Sequence, residues 1–179
     1  AGNFGIGAPV AAALMEELFA FGVRRFVSLG LAGGLQSDLR AGDLVVCDRA
    51  LRDEGVSHHY LPPSKFVAAN QDVTGALQSA LASHKHKFIT GASWTTDAPY
   101  RETRHEVEAY RQEGIITVEM EAAALFAVGQ YLGAPVGAAF VIGDSLDGTR
   151  WRLDFDRNAV RRGLQILFDT TVEIFSEAR

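Results

Sequence analysis

The chain of 179 residues is 47% apolar and 22% charged, and it carries a net charge of −5. These values are typical of a soluble globular protein and predict one domain over residues 1–179. The negative charge and the lack of a long basic run argue against nucleic-acid binding, and no apolar run is long enough to cross a membrane. Cys47 is the only cysteine, which excludes an internal disulfide framework and fits a reducing cytoplasm.

The first half of the chain predicts helices that alternate with strands. It begins AGNFGIGAPV, without a methionine, and GIGAP is typical of the exit from a strand into a helix. We therefore expect the numbering to begin inside a fold whose first strands are missing. The predicted elements are a helix over 8–22, a strand over 24–30 followed by a glycine-rich turn over 31–36, a strand over 42–51, a polar loop over 52–65, and a helix over 72–84 capped by Asp72 or Thr74.

The second half continues the alternation. It predicts strands over 87–96, 115–120 and 134–144, a charged helix before the second of these strands, an alanine-rich helix from Met120, and a terminal helix over 153–177. The apolar face expected on the terminal helix comprises Val160, Leu164, Leu167, Phe168, Val172 and Phe175. Strands alternating with helices predict an α/β fold with a mostly parallel central sheet and helices on both faces.

Small and acidic residues follow several of the predicted strands. In α/β sheets, ligands bind beyond the carboxyl ends of the strands. Taken singly, each of these residues has an ordinary structural explanation, but together they indicate a ligand site at one edge of the sheet. They are Gly30 to Gly34, Thr95 to Asp97 with Pro99 and Tyr100, Glu119 to Glu121, and Gly143 to Ser145.

Other reactive residue types form weaker patterns. His58 and His59 have no second ligand cluster, so no metal site is predicted. Ser57 and Ser145 lack the G-x-S-x-G setting of a hydrolase nucleophile. A lone cysteine in an apolar run, such as Cys47, is more typical of a small core residue than of a nucleophile.

The segment VEMEAAALF, residues 118–126, closely resembles the signature of the nucleoside phosphorylase-I family. That family includes purine nucleoside phosphorylases, uridine phosphorylases and related nucleosidases. Further blocks resemble the family in the family's order along nearly the whole chain: GIGAPVAAALMEEL, GVRRFVSLGLAGGLQ, AGDLVVCDRALRDEGVSHHYLPP, TTDAPY and VIGDS.

The resemblance implies a nucleoside pocket. Met120 and Glu121 would hold the ribose, and Glu121 would accept hydrogen bonds from the sugar hydroxyls. Asp144 matches the position of the aspartate in purine-specific members, which would supply a proton or hydrogen bond to N7 of the leaving purine. The remaining pocket residues would be Val118 and Glu119 in the wall, Ala32 and Gly33 along the base, and Pro99 and Tyr100 packed against the base.

The resemblance is weakest at the acceptor site. Phosphorylases of the family have an arginine at the position of Ser28 and a serine or threonine at that of Leu31, so Gly30 and Leu31 here occupy the phosphate position without the usual side chains. Three interpretations remain: a phosphorylase, a nucleosidase that uses water, and a nucleoside-binding member without activity. Family frequency favours the phosphorylase.

The family also implies partners. We expect nucleoside and phosphate as substrates, no cofactor besides phosphate as co-substrate, no metal, and a homo-oligomer, either a dimer or a hexamer.

Overall fold

The computed structural model describes residues 5–146, 151–152 and 157–176. The helices are α1 Ala8–Ala20, α2 Ser57–Tyr60, α3 Gln71–Ser83, α4 Arg104–Gln112, α5 Ala122–Leu132 and α6 Arg157–Ser176, with a short 3₁₀ helix Pro99–Arg101. The strands are β1 Phe26–Gly34, β2 Leu44–Asp53, β3 Phe66–Ala68, β4 Ile89–Thr96, β5 Ile115–Glu119, β6 Val136–Leu146 and β7 Trp151–Arg152.

The strands form one mixed sheet in the order β3-β2-β4-β5-β1-β6-β7. The longest ladders, β1 with β6 and β2 with β4, are parallel, and β4 also pairs in parallel with β5. The predicted α/β class is therefore confirmed. The antiparallel pairing of β2 with β6, which the sequence did not predict, closes β2, β4, β5, β1 and β6 into a ring.

Helices cover both faces of this sheet. Ala138 and Phe140 of β6 pack in the cluster that contains residues of α1 and α5, whereas Ala139 and Val141 pack in the cluster that contains residues of α3 and α6. This alternation follows from the two-residue period of a strand. A third cluster centres on Trp94, whose indole lies edge-on to Tyr110 at 4.9 Å.

One edge of β1 is only partly paired. Residues 26–32 pair with β6, but β5 contacts β1 only at Gly33 and Gly34, so the other edge of 26–32 has no strand partner among the described residues. None of the described helices is long and apolar enough to cross a membrane.

Several local predictions were wrong for identifiable reasons. The strand β1 continues through Gly34 instead of turning after Gly30, because Gly33 and Gly34 pair with both β5 and β6. The predicted loop over 52–65 contains α2, and β3 follows it. The cap of α3 is Asn70, whose side chain accepts a hydrogen bond from the Val73 N–H at 3.0 Å, rather than Asp72 or Thr74.

The predicted apolar face of the terminal helix was half wrong. Phe168, Val172 and Phe175 of α6 are 39–48% exposed. The buried side of this helix comprises Val160, Gly163, Leu167, Thr170 and Ile174. Both sets fit the helical period. Gly163 and Thr170 add little hydrophobicity to the second set, but their small size allows this side of the helix to approach the sheet.

Candidate nucleoside site

Three of the predicted site residues meet where β1 lies between β5 and β6. Gly33 is paired with Val118 of β5 and with Asp144 of β6. A side chain at Gly33 would place its Cβ 3.0 Å from the Val118 Cγ1 and 3.3 Å from the Asp144 Oδ1. Gly33 therefore leaves room for the Asp144 carboxylate beside the strand, and a side chain at this position would crowd both Val118 and Asp144.

The neighbouring residues of β1 face different environments. The Ala32 side chain is buried in the core, so any contact of Ala32 with a ligand would involve its backbone. Leu31 is 49% exposed, and a Cβ at Gly30 would meet nothing within 4 Å. Ser28 is half-buried on the same strand. The position where the sequence resemblance would place phosphate is thus an open surface bearing an exposed leucine.

Both carboxylate oxygens of Glu119 accept hydrogen bonds from within the protein. Its Oε1 accepts from the Thr95 hydroxyl at 2.5 Å and from the Ser93 hydroxyl at 3.3 Å, and its Oε2 accepts from the backbone N–H groups of Glu121 at 2.8 Å and Ala122 at 2.7 Å. The last two bonds satisfy donors at the start of α5 that would otherwise lack partners. Glu119 therefore caps α5 from the end of β5.

Burial raises the pKa of Glu119 to about 7, although the hydrogen bonds from Thr95, Glu121 and Ala122 oppose the shift. Desolvation disfavours the charged carboxylate, whereas donors favour it, and here desolvation is the larger effect. The Thr95 hydroxyl also accepts from the Ala123 N–H at 2.9 Å, which extends the network into the helix. The sequence placed Thr95 at a strand end but did not reveal this role.

Glu121 lies between the starts of two helices. It is the half-buried residue before α5, and its Oε1 accepts from the N–H of Gly7, which precedes α1, at 2.5 Å. Its second carboxylate oxygen has no hydrogen-bond partner among the described residues. Helix N-termini favour negative charge, so this is a favourable place for an acidic side chain, and one of its oxygens is available. Met120, also half-buried, lies between Glu119 and Glu121.

The segment after β4 is more open. Pro99 is half-buried and Tyr100 is 93% exposed, so the ring that the sequence places against a base stands in solvent here. Asp97 accepts from the Gly55 N–H at 2.8 Å, which ties this segment to the loop before α2.

Glu102 is the residue of this region that sequence analysis missed. It follows the 3₁₀ helix, is half-buried, and lies near enough to Asp144 for their charges to interact. Burial and the negative charges of Asp144 and Glu106 raise the pKa of Glu102 to about 7. No sequence signal distinguishes it from the ordinary acidic residues around it, because its proximity to Asp144 depends on the tertiary fold.

Buried hydrogen bonds hold the segment before β3, whose sequence predicts irregular structure. The buried Arg52 donates to the Ser57 hydroxyl at 2.9 Å and to the Pro62 carbonyl at 2.7 Å. The buried Glu54 accepts from the backbone N–H of Ser57 at 2.9 Å. His58 is exposed, and the described part of the chain contains no group of three side chains arranged to hold a metal. Cys47 is buried, and burial raises the pKa of its thiol.

The chain is thus an α/β protein whose strand-end carboxylates form a candidate small-molecule site. The family model of the phosphorylase superfamily matches residues 2–173, and the chain belongs to that family. The predicted family resemblance is thereby confirmed.

Individual relatives carry different names. The chain is 32% identical over 142 residues to a guanosine phosphorylase of Halorubrum lacusprofundi, covering 79% of this chain and 59% of that protein. It is 28% identical over 147 residues to a uridine phosphorylase of Haemophilus influenzae, covering 74% and 58%. A crystal structure of uridine phosphorylase from Vibrio fischeri matches with a TM-score of 0.86 at 25% identity, covering 98% of this chain and 72% of that one. The chain thus spans less than two thirds of the length of these two sequence relatives.

Proposed function

We propose that the protein cleaves the N-glycosidic bond of a nucleoside by phosphorolysis, with a purine as the leaving base. The observation that carries this proposal is the Asp144 carboxylate, placed over Gly33 beside Val118 at the edge of the sheet that also bears Glu121. Membership of the phosphorylase superfamily supports it, as does the similarity to proteins named guanosine and uridine phosphorylase.

The proposed chemistry separates charge across the glycosidic bond. As C1′–N9 breaks, its electron pair moves to the purine and the ribose takes on oxocarbenium character. Protonated Asp144 gives its proton to N7 of the base, while a phosphate oxygen bonds to C1′, which yields the free base and ribose 1-phosphate. The nearby Glu102 carboxylate favours retention of a proton on the pair, since two like charges resist full ionisation.

Glu121 would position the sugar. Its free oxygen accepts from the ribose hydroxyls, while its bond to the Gly7 N–H fixes the carboxylate at the start of α1. Met120 and Val118 would form the apolar wall beside the sugar, with the backbone of Ala32 along the base and the rings of Pro99 and Tyr100 against it. Glu119 would act on the pocket through α5, because its own oxygens are engaged within the protein. We also propose a homo-oligomer, as the family resemblance implies.

Hydrolysis is the second candidate, and the lack of a phosphate-binding side chain at Ser28 and Leu31 is compatible with it. A leucine provides no hydrogen bond to phosphate, and Ser28 provides no positive charge. In this alternative, water replaces phosphate at C1′, and the roles of Asp144 and Glu121 are unchanged.

The test is release of base from inosine, adenosine, methylthioadenosine and uridine, with and without phosphate. We expect release from the purine nucleosides only when phosphate is present. The variant Asp144→Asn should lower kcat more than it weakens binding, because the proton transfer is completed only in the transition state. Asp38→Asn, the same change at an exposed site, is the matched control.

Each departure from this result has a distinct meaning. Equal turnover without phosphate would replace phosphorolysis by hydrolysis. Binding without any turnover would make the protein a nucleoside-binding member. Equal losses in kcat and in affinity for Asp144→Asn would assign Asp144 to binding alone.

A further inference from the structure

The first turn of α5 is capped by side chains that lie outside the helix. Its first two residues, Ala122 and Ala123, are buried, so their backbone N–H groups need acceptors within the protein. Glu119 accepts from the Ala122 N–H at 2.7 Å, and the Thr95 hydroxyl accepts from the Ala123 N–H at 2.9 Å. The neighbouring strands β5 and β4 therefore supply the capping groups of α5.

The side chain at the N-cap position of α5 does not cap the helix. Glu121 occupies this position, where a side-chain oxygen usually accepts from the N–H of the second or third helical residue. Its side chain makes no such bond, and one of its oxygens accepts instead from the Gly7 N–H. The second helical residue is Ala123, whose N–H already donates to Thr95. Thr95 thus occupies a donor for which the Glu121 carboxylate would otherwise compete.

We propose that Thr95 is a positioning residue for the ribose: its hydroxyl occupies the Ala123 N–H and so keeps the Glu121 carboxylate directed away from α5 and available to the sugar. This inference rests on the proposed role of Glu121 in holding the ribose. The Thr95 side chain is fully buried, and its hydroxyl donates its one proton to Glu119 at 2.5 Å. Thr95 therefore acts through the start of the helix and does not touch the nucleoside.

A hydroxyl is suited to this position because it donates and accepts at once. Glu119 receives the donated hydrogen bond, and the Ala123 N–H finds its acceptor. Valine has nearly the same shape as threonine and can do neither. In Thr95→Val, the buried Ala123 N–H would lack its acceptor, which is unfavourable, and the free oxygen of Glu121 would turn to it. That oxygen would then no longer be available to the sugar.

The first experiment compares the affinities of inosine and free hypoxanthine by calorimetry, together with inosine turnover. We expect Thr95→Val to bind inosine about ten-fold more weakly, the equivalent of one hydrogen bond to a charged group. KM for inosine should rise with little change in kcat, and hypoxanthine, which has no sugar, should bind as before. Thr95→Ser keeps the hydroxyl and should behave like the wild type. Thr90→Val removes an exposed hydroxyl from the same strand and is the matched control.

The second experiment needs no nucleoside. Urea denaturation gives the unfolding equilibrium constants of the wild type, Thr95→Val, Glu121→Ala and the double variant. Loss of the bond between Thr95 and Glu119 affects both backgrounds alike and cancels in this cycle. If Glu121 takes over the Ala123 N–H, Thr95→Val should raise the unfolding constant about five-fold more in the Glu121→Ala background than in the wild type, the size of a lost helix cap. Should Thr95→Val not fold, Thr95→Cys replaces it in both experiments, because a thiol donates and accepts only weakly.

The outcomes separate this inference from the proposed function. Additive effects in the stability cycle overturn the role of Thr95, as does unchanged inosine affinity in Thr95→Val beside a wild type that binds inosine. A loss of affinity that Thr95→Ser or hypoxanthine shares also overturns it, because the hydroxyl and the sugar would then not explain the loss. A non-additive cycle in a protein that binds no nucleoside supports the control of Glu121 by Thr95 and overturns the proposed function.

Discussion

The two halves of the candidate site are built differently. At the junction of β5 and α5, each acid is engaged: Glu119 accepts four hydrogen bonds and Glu121 accepts one from Gly7. In the segment after β4, Tyr100 stands in solvent and Glu102 has no partner among the described residues. The proposed sugar side is therefore preorganised by the fold, whereas the proposed base side has groups that a ligand would satisfy.

This contrast predicts that the two regions contribute differently to folding stability and to ligand binding. Side chains of the β5–α5 junction contribute to the folded state whether or not a ligand is present. In the segment after β4, the exposed Tyr100 and the half-buried Glu102 should contribute little to the folded state without a ligand. Substitutions in the two regions should therefore affect different measurements, and the three variants below test that separation in order of decreasing effect.

The largest effect is expected from Glu119→Ala. The change removes the cap of α5 and leaves the buried N–H of Ala122 and the hydroxyl of Thr95 without their acceptor. Because an unsatisfied buried polar group costs about 1–3 kcal/mol, we expect the free energy of unfolding to fall by about 3 kcal/mol or more. Urea denaturation measures it, and a loss under about 1 kcal/mol would contradict the capping role.

Glu119→Gln is the control for this variant, because glutamine retains an acceptor oxygen for α5 and has no titrating group. Burial raises the pKa of Glu119 to about 7 from an ordinary value of 4.5. The folded protein therefore binds more protons than the unfolded chain between these pH values, so the stability contributed by protonated Glu119 is lost as pH rises through 7. The difference in free energy of unfolding between the wild type and Glu119→Gln should therefore shift against the wild type between pH 5 and pH 8.

Glu121→Ala should weaken nucleoside binding by about 1.5–3 kcal/mol, the usual contribution of a hydrogen bond to a charged group. Its cost in unfolding free energy should be smaller, about 1 kcal/mol, because only the bond to the Gly7 N–H is lost. Calorimetry with inosine and with free hypoxanthine distinguishes the sugar from the base. A loss of affinity shared by the free base, or no loss for inosine, would remove Glu121 from the ribose site; Glu17→Ala, on the exposed side of α1, is the matched control.

The sequence was most informative where structure depends on local periodicity. The order of the main strands and helices, the family signature at residues 118–126 and the positions of Gly33, Glu119 and Asp144 near strand ends followed from patterns along the chain, whereas α2 and β3 did not. The juxtaposition of Gly33, Val118 and Asp144 did not, because it depends on β1 pairing with two strands distant in sequence. The partners of Glu119 were hidden for a related reason: Thr95 and Ser93 lie on β4, and only the β4–β5 register brings them to it.

The position of Glu102 near Asp144 was also beyond sequence reasoning. The segment RETRHE contains two glutamates that look alike in sequence, yet Glu106 belongs to a capping box and Glu102 lies near Asp144. The same limit applied to α6, where two apolar stripes both match the helical period and only packing decides that Leu167 is buried and Phe168 exposed. In each case, a local pattern permits two environments and tertiary contacts select one.

Tyr100→Ala should produce the smallest of the three effects, and it should separate base affinity from folding stability most clearly. Since the ring is 93% exposed, its removal should change the free energy of unfolding by less than about 0.5 kcal/mol. If the ring closes over a bound base, the affinity for the base should fall by about 1 kcal/mol, the size of an aromatic stacking contact. The variant Tyr100→Phe keeps the ring and should bind like the wild type. If Tyr100→Ala leaves the affinity for the base unchanged, the 3₁₀ segment does not close on the ligand. The contrast between a preorganised sugar side and a base side completed by the ligand would then rest on Glu102 alone.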